Sequence, residues 1–158
     1  MSIIETNSQN TPTFPSLYVI LYLNSLKTNR SLYYHDCLIE WSMLFNRIHL
    51  PVYIVSNDDP SILKDIKKRY NSDFIYCSNP ANDIFIKKNL YKDKVIYGKK
   101  YRTIYTQIEL VHNDKIIYTS KRINKNTITS LYLMAVDIKY ALFLTKLQKD
   151  IDTLGKLC

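Results

Sequence analysis

Leu17-Tyr18-Val19-Ile20-Leu21-Tyr22-Leu23 is an unbroken apolar run, and its reading decides the fold. A half-exposed strand alternates apolar and polar residues, whereas a strand covered on both faces is continuous, so this run reads as a buried strand of a largely parallel sheet. Two shorter runs of the same kind follow, Val52-Tyr53-Ile54-Val55 behind Pro51 and Phe74-Ile75-Tyr76-Cys77. Between the first and second, Cys37, Trp41, Leu44, Phe45 and Ile48 recur at three- and four-residue steps, the spacing of one amphipathic helix. Between the second and third, Asp59 is placed to be the N-cap and Pro60 the first residue of a helix with a buried stripe of Ile62, Leu63, Ile66 and Tyr70.

Asn79-Pro80 closes the third strand, and a short helix carrying Ile84, Phe85 and Leu90 follows. Gly98 marks a basic turn. Asn113-Asp114 then joins two stretches, about Thr103 to Val111 and Lys115 to Thr119, as a hairpin. Thr127 or Thr129 is placed to cap a last helix whose apolar positions include Leu131, Met134, Ile138, Leu142 and Leu147. The order is βαβαβ, a short helix, a hairpin and a last helix. Alternating strands and helices imply an α/β protein with a parallel core, antiparallel neighbours and helices on both faces of a mixed central sheet, which is the thioredoxin-like arrangement. Residues 1–14 read as a flexible tail, 15–150 as one domain and 151–158 as a C-terminal tail.

A chain of 158 residues with 46% hydrophobic and 23% charged residues has the size and composition of a globular domain that buries its own core. With 2 Gly and 5 Pro it is neither collagen-like nor a disordered linker. The formal net charge of +8 favours anionic partners, and the basic residues thicken from Lys87 to Lys125, so nucleic acid is an available partner by charge. A solvated lysine-rich face accounts for the same pattern, and no aromatic-basic RNA-binding signature or helix-turn-helix spacing accompanies it. Cys37, Cys77 and Cys158 form no CxxC and no zinc-like pairing with His35, His49 or His112, so no metal and no cofactor is expected. An odd number of thiols argues against a secreted disulfide scaffold, and the polar opening MSIIETNSQN lacks the basic and apolar regions of a signal peptide. Asp137 and Lys139 break the longest apolar stretch, so no membrane span is expected and the compartment implied is an intracellular, by default cytoplasmic, one.

With these elements laid out, the sequence resembles the peroxiredoxins, of the AhpC/TSA-like type and closest to their bacterioferritin-comigratory or peroxiredoxin Q branch. Ile20-Leu21-Tyr22-Leu23 resembles the strand entering that family's active-site loop, and Val55-Ser56-Asn57-Asp58-Asp59-Pro60 its "VSxDxP" strand end. Lys67-Lys68-Arg69-Tyr70 followed by Phe74 resembles the helix end before "FxLLSD". Tyr97-Gly98-Lys99 is similar to a "YGK" stretch, and Asn113-Asp114-Lys115-Ile116 to a "DGKI" turn. The likeness runs over about residues 17 to 148 and implies a peroxiredoxin-like order in which the family's N-terminal hairpin is reduced or missing, because too little chain precedes residue 17.

The family's P-x-x-x-T/S-x-x-C loop is where the likeness fails. Laid on without a gap, Ser25 stands at the Pro position, Asn29 at the Thr position and Leu32 at the peroxidatic cysteine. Leucine carries no nucleophilic atom, so no sulfenic acid can form there. The arginine expected before the hairpin strand falls on Tyr105, with Arg102 close enough to substitute if the turn slips. Cys37 stands at the resolving-cysteine position of some members. Its spacing to Trp41 and Leu44 places it on an apolar stripe, where a free cysteine behaves as a small hydrophobe. Cys77 reads as core and Cys158 as an exposed terminal thiol without a C-a-a-X motif. His35 is poorly aimed at Cys37, since residues two apart on a helix diverge. Asn57-Asp58-Asp59 reads as capping chemistry ahead of a metal loop.

The resulting expectation is a non-catalytic binding or scaffold protein on a peroxiredoxin-like domain, acting on a protein partner or as a homodimer. The alternatives are a divergent thiol-dependent peroxidase using Cys37, and a basic RNA- or complex-binding subunit using the Lys87–Lys125 region.

Overall fold

The computed structural model describes residues 2–3 and 14–157, so most of the expected N-terminal tail, and Cys158, lie outside the described residues. The sheet has six strands: β1 (Ser2–Ile3), β2 (Leu17–Leu23), β3 (Val52–Ser56), β4 (Ile75–Ser78), β7 (Gln107–His112) and β8 (Lys115–Ser120). Their order across the sheet is β1-β4-β3-β2-β7-β8. β2, β3 and β4 pair in parallel, while β1, β7 and β8 join antiparallel to their neighbours. β5 (Tyr91–Ile96) and β6 (Lys99–Ile104) form a separate two-stranded hairpin. The helices are α1 (Asn29–Ile39), α2 (Ser42–Arg47), α3 (Pro60–Tyr70), α4 (Asp83–Lys87) and α5 (Lys125–Leu157).

All seven residues of β2 are buried, as its unbroken run implies. Alternate residues go to opposite cores. Leu17, Val19, Leu21 and Leu23 meet Leu38 of α1, Phe45 of α2, Leu63 and Ile66 of α3, and Ile128 and Leu131 of α5. On the other face Tyr18, Ile20 and Tyr22 meet Phe85 of α4, Leu90 and Ile104. The sheet is therefore mixed with helices on both faces, and the fold is α/β with the thioredoxin-like order.

Four local expectations are corrected. The single helix from Cys37 to Ile48 is two helices that break at Glu40 and Trp41, and the buried stripe of α1 is Ser31, His35 and Leu38, with Cys37 beside it. The stretch from Thr103 to Val111 is not one strand. The chain leaves the hairpin at Ile104, Tyr105 N–H donates to the Leu90 carbonyl at 2.9 Å, and pairing resumes in β7 on the main sheet. Asp59 occupies the N-cap of α3 without a side-chain cap bond. The cap of α5 is Asn124, whose Oδ1 accepts from Thr127 N–H at 2.9 Å.

At the end of the chain, α5 continues to Leu157 through the segment expected as a tail, because residues 151–157 hold no helix breaker besides Gly155. This helix is also long and apolar enough to cross a membrane by length and composition, one 18-residue stretch of it having a mean hydropathy of 1.4 despite Asp137 and Lys139.

Candidate functional site

The chain turns from β2 into α1 through residues 24–28, and one carboxylate fixes that turn. Asp58, 4% exposed, accepts from Ser25 Oγ at 2.6 Å, from Leu26 N–H at 2.7 Å and from Ser56 Oγ at 2.9 Å. Hydrogen bonds to an ionised acceptor are the strong ones, so the loop is clamped onto the end of β3. Thr28 then opens α1 as its N-cap, its hydroxyl accepting from Ser31 N–H at 3.3 Å.

A cleft of about 480 Å³ opens beside this helix start. α1 and its cap contribute Thr28, Arg30, Ser31 and Tyr34; β5 contributes Lys94; the β6–β7 connection contributes Tyr105 and Thr106; and Lys121 closes it behind β8. Lys121 Nζ stands 5.0 Å over the Tyr105 ring. Three cations and several hydroxyls converge here, and no Asp, Glu or Cys lines the cleft among the described residues. Such a lining attracts anions, and the positive end of α1 adds to it.

The six residues singled out by sequence do not meet in one place. Tyr105 lines the cleft. Ser25 belongs to the Asp58 clamp, and Asn29 is exposed at the first position of α1. Leu32 turns away from Tyr105, into a groove of about 450 Å³ between α1 and α3 lined by Leu26, Ile62 and Ile66. Neighbouring helical residues point about 100° apart, so Ser31, one step earlier, is the side chain of that turn facing the cleft. Arg102 is exposed on β6, where it pairs with Asp93 at 3.2 Å and lies 4.4 Å over the Tyr91 ring. Cys37 is half-buried in a third recess with Tyr33, Glu40, Trp41, Lys125 and Ile128. The Cys37 side chain beside the Tyr33 hydroxyl pushes the phenol pKa up. Cys77 is buried in the second core, where desolvation pushes its thiol up to about 11 and leaves it protonated and inert at neutral pH.

Two polar groups have buried roles that the sequence reading did not assign. His35 is fully buried, with Nε2 2.6 Å from the Tyr76 hydroxyl, which itself donates to Ser72 Oγ at 3.0 Å. Desolvation lowers the His35 pKa, against a smaller opposing pull from Asp36. Glu109 sits in the middle of β7, 1% exposed, and accepts from Lys88 Nζ at 2.8 Å and Gln107 Nε2 at 2.7 Å. Lys88 also stands 4.8 Å over the Tyr22 ring, and burial with the Glu109 charge beside it raises the Tyr22 pKa. A lone charge inside a strand of Ile108, Leu110 and Val111 was the available signal.

With the geometry in place, comparison with known proteins decides the architecture. No protein-family model matches the sequence, and no curated protein is similar to it by sequence. Solved structures are similar. The bacterioferritin comigratory protein of Xanthomonas campestris, described for its alkyl peroxide reduction activity, superposes with a TM-score of 0.61 at 16% identity over 79% of each chain. A cysteine-to-serine variant of peroxiredoxin Q from Xylella fastidiosa reaches 0.65 at 14% identity over 78% of each chain. Peroxidoxin BcpB of Mycobacterium tuberculosis reaches 0.63 at 10% identity, over 77% of this chain and 79% of that one.

The fold is a peroxiredoxin fold.

Identity this low carries the architecture and leaves chemistry to be argued from the residues. The cleft at the start of α1 presents Ser31, Thr28 and three cations.

Proposed function

We propose that this peroxiredoxin-fold protein is a non-catalytic binding protein that engages its partner through the face around the start of α1. One observation carries the reading: the cleft at that corner is lined by Arg30, Lys94, Lys121 and hydroxyls, while Cys37 opens into a different recess and Cys77 is sealed in the core. Peroxide reduction needs a thiolate that attacks a peroxide oxygen, becoming a sulfenic acid as hydroxide leaves, beside cationic stabilisation; here the three cations of the cleft stand apart from Cys37 and Cys77. Leu32, at the position of the peroxidatic cysteine by sequence, supplies hydrocarbon to the α1–α3 groove. The ligand such a cleft suits is anionic: a carboxylate or phosphate group, or an acidic segment of a protein partner. The test is hydrogen peroxide consumption with dithiothreitol or a thioredoxin system as reductant. The expected rate equals the protein-free blank; turnover that vanishes in Cys37→Ser overturns the reading.

A second reading keeps Cys37 as a peroxidase thiol, favoured by its partial exposure and by Lys125 and the Tyr33 hydroxyl in its recess. It requires that a sulfenic-acid probe label Cys37 in the folded protein after mild peroxide. Labelling that appears only after unfolding ends it. The nucleic-acid reading rests on charge alone, with Lys92, Lys94, Lys99, Lys100 and Arg102 gathered on the exposed β5–β6 hairpin. It requires binding that weakens steeply with salt.

A further inference from the structure

Helix α5 extends far past the domain it starts on. Ile128, Leu131 and Ala135 are buried against the core, and Tyr132 packs 5.5 Å from Trp41 and 6.1 Å from Phe45. Lys139 Nζ still reaches the His49 carbonyl at 3.3 Å. From Tyr140 to Leu157, every residue is exposed. An isolated helical segment of this length is marginal in water, and this one displays leucines and a phenylalanine that a monomer has no reason to leave wet.

The exposed residues are not spread at random. Tyr140, Leu144, Leu147, Ile151 and Leu154 follow one another at steps of four, three, four and three, the a/d spacing of a coiled coil. In that register Leu144 and Ile151 take a, and Tyr140, Leu147 and Leu154 take d. The outward b, c and f positions hold Thr145, Lys146, Lys149, Asp152, Thr153 and Lys156, with Leu142 the one apolar residue among them.

We propose that residues 140–157 of α5 form a two-stranded coiled-coil seam with the same segment of a second copy of this chain. Ile151 at a between Leu147 and Leu154 at d is the combination that favours two strands. The area suffices. The five seam residues, with Phe143 and Leu157 flanking them, are 42–80% exposed. At about 60–120 Å² regained per apolar side chain, they bury roughly 600 Å² per copy. Two copies therefore bury about 1,200 Å², above the roughly 1,000 Å² that a specific interface needs.

Lipid is the competing occupant. The apolar stretch that qualifies α5 by composition is partly spent, 22% of it being buried against the domain. Between Lys139 and Lys146 lie only Tyr140-Ala141-Leu142-Phe143-Leu144-Thr145, far short of the roughly 20 apolar residues of a span, and further charges follow at Lys149, Asp150, Asp152 and Lys156.

Sedimentation equilibrium of the full chain from about 1 to 100 μM tests the seam. The expected species is a dimer. Leu147→Asp/Ile151→Asp places carboxylates in the seam and weakens association by about 100-fold or more, and Lys149→Glu on the outward face leaves it within about threefold. Both variants keep the domain's circular-dichroism melt, since the substitutions lie outside it. Flotation with phosphatidylcholine/phosphatidylglycerol vesicles leaves the protein in the aqueous fraction. A monomer at 100 μM, a double variant that still dimerises, or wild-type flotation abolished by the double substitution each overturns the proposal.

Discussion

Lys88→Met separates the charge of a buried ion pair from its packing. Glu109 is 1% exposed in the centre of β7, and Lys88 pairs with it at 2.8 Å. Methionine keeps an unbranched stem of similar reach over the Tyr22 ring but removes the ammonium. The carboxylate then stays buried with Gln107 Nε2 at 2.7 Å and no counter-charge. Removing one member of a buried pair costs about 3–5 kcal/mol. For a domain of this size, that lowers Tm by roughly 6–20 °C at about 2–4 °C per kcal/mol. The assay is urea unfolding at pH 7, alongside Lys88→Met/Glu109→Gln. The double variant leaves no unpaired buried charge and recovers most of the loss. A Lys88→Met cost below about 1 kcal/mol, or a double variant no more stable than the single one, refutes the reasoning.

Two other perturbations reach different parts of the molecule. Asp58→Ala strands the Leu26 N–H and frees the Ser25 and Ser56 hydroxyls, with an expected cost of about 2–4 kcal/mol and faster amide exchange at Leu26 than at the β2–β3 ladder. His35 is held neutral by burial, so its folded-state pKa lies below the unfolded value of about 6.5. Its contribution is complete above that pH and is lost as pH falls below it, because the unfolded chain takes the proton first. Urea midpoints at pH 7, 6 and 5 should fall, and His35→Gln should lower the pH 7 value and flatten the slope.

The fold was legible where burial is two-sided. Leu17–Leu23, Val52–Val55 and Phe74–Cys77 could belong only to covered strands, and Asn113-Asp114, with φ of 49° and 64°, adopts the left-handed turn that its residue types favour. The β5–β6 hairpin was invisible because Lys92-Asp93-Lys94 and Lys99-Lys100 leave no apolar alternation, and only the Tyr97-Gly98 turn, φ 51° and 76°, marks it. The break between α1 and α2 carries no Gly or Pro, so the apolar spacing ran straight across it. The site was less legible than the fold. Lys94, Tyr105 and Lys121 reach the cleft from three separate segments, and the turn between Ser31 and Leu32 decides which of them faces it. An ungapped match of loop motifs cannot supply that rotation.

Trp41, the single tryptophan, lines the same recess as Cys37 and gives the central claim its most direct reading. Stopped-flow tryptophan fluorescence of the fully reduced protein, mixed with increasing hydrogen peroxide, reports oxidation of the neighbouring thiol as it happens. A flat trace at every concentration is the result for a peroxiredoxin fold whose cationic corner holds no thiol. A fast phase that scales with peroxide and disappears in Cys37→Ser contradicts it.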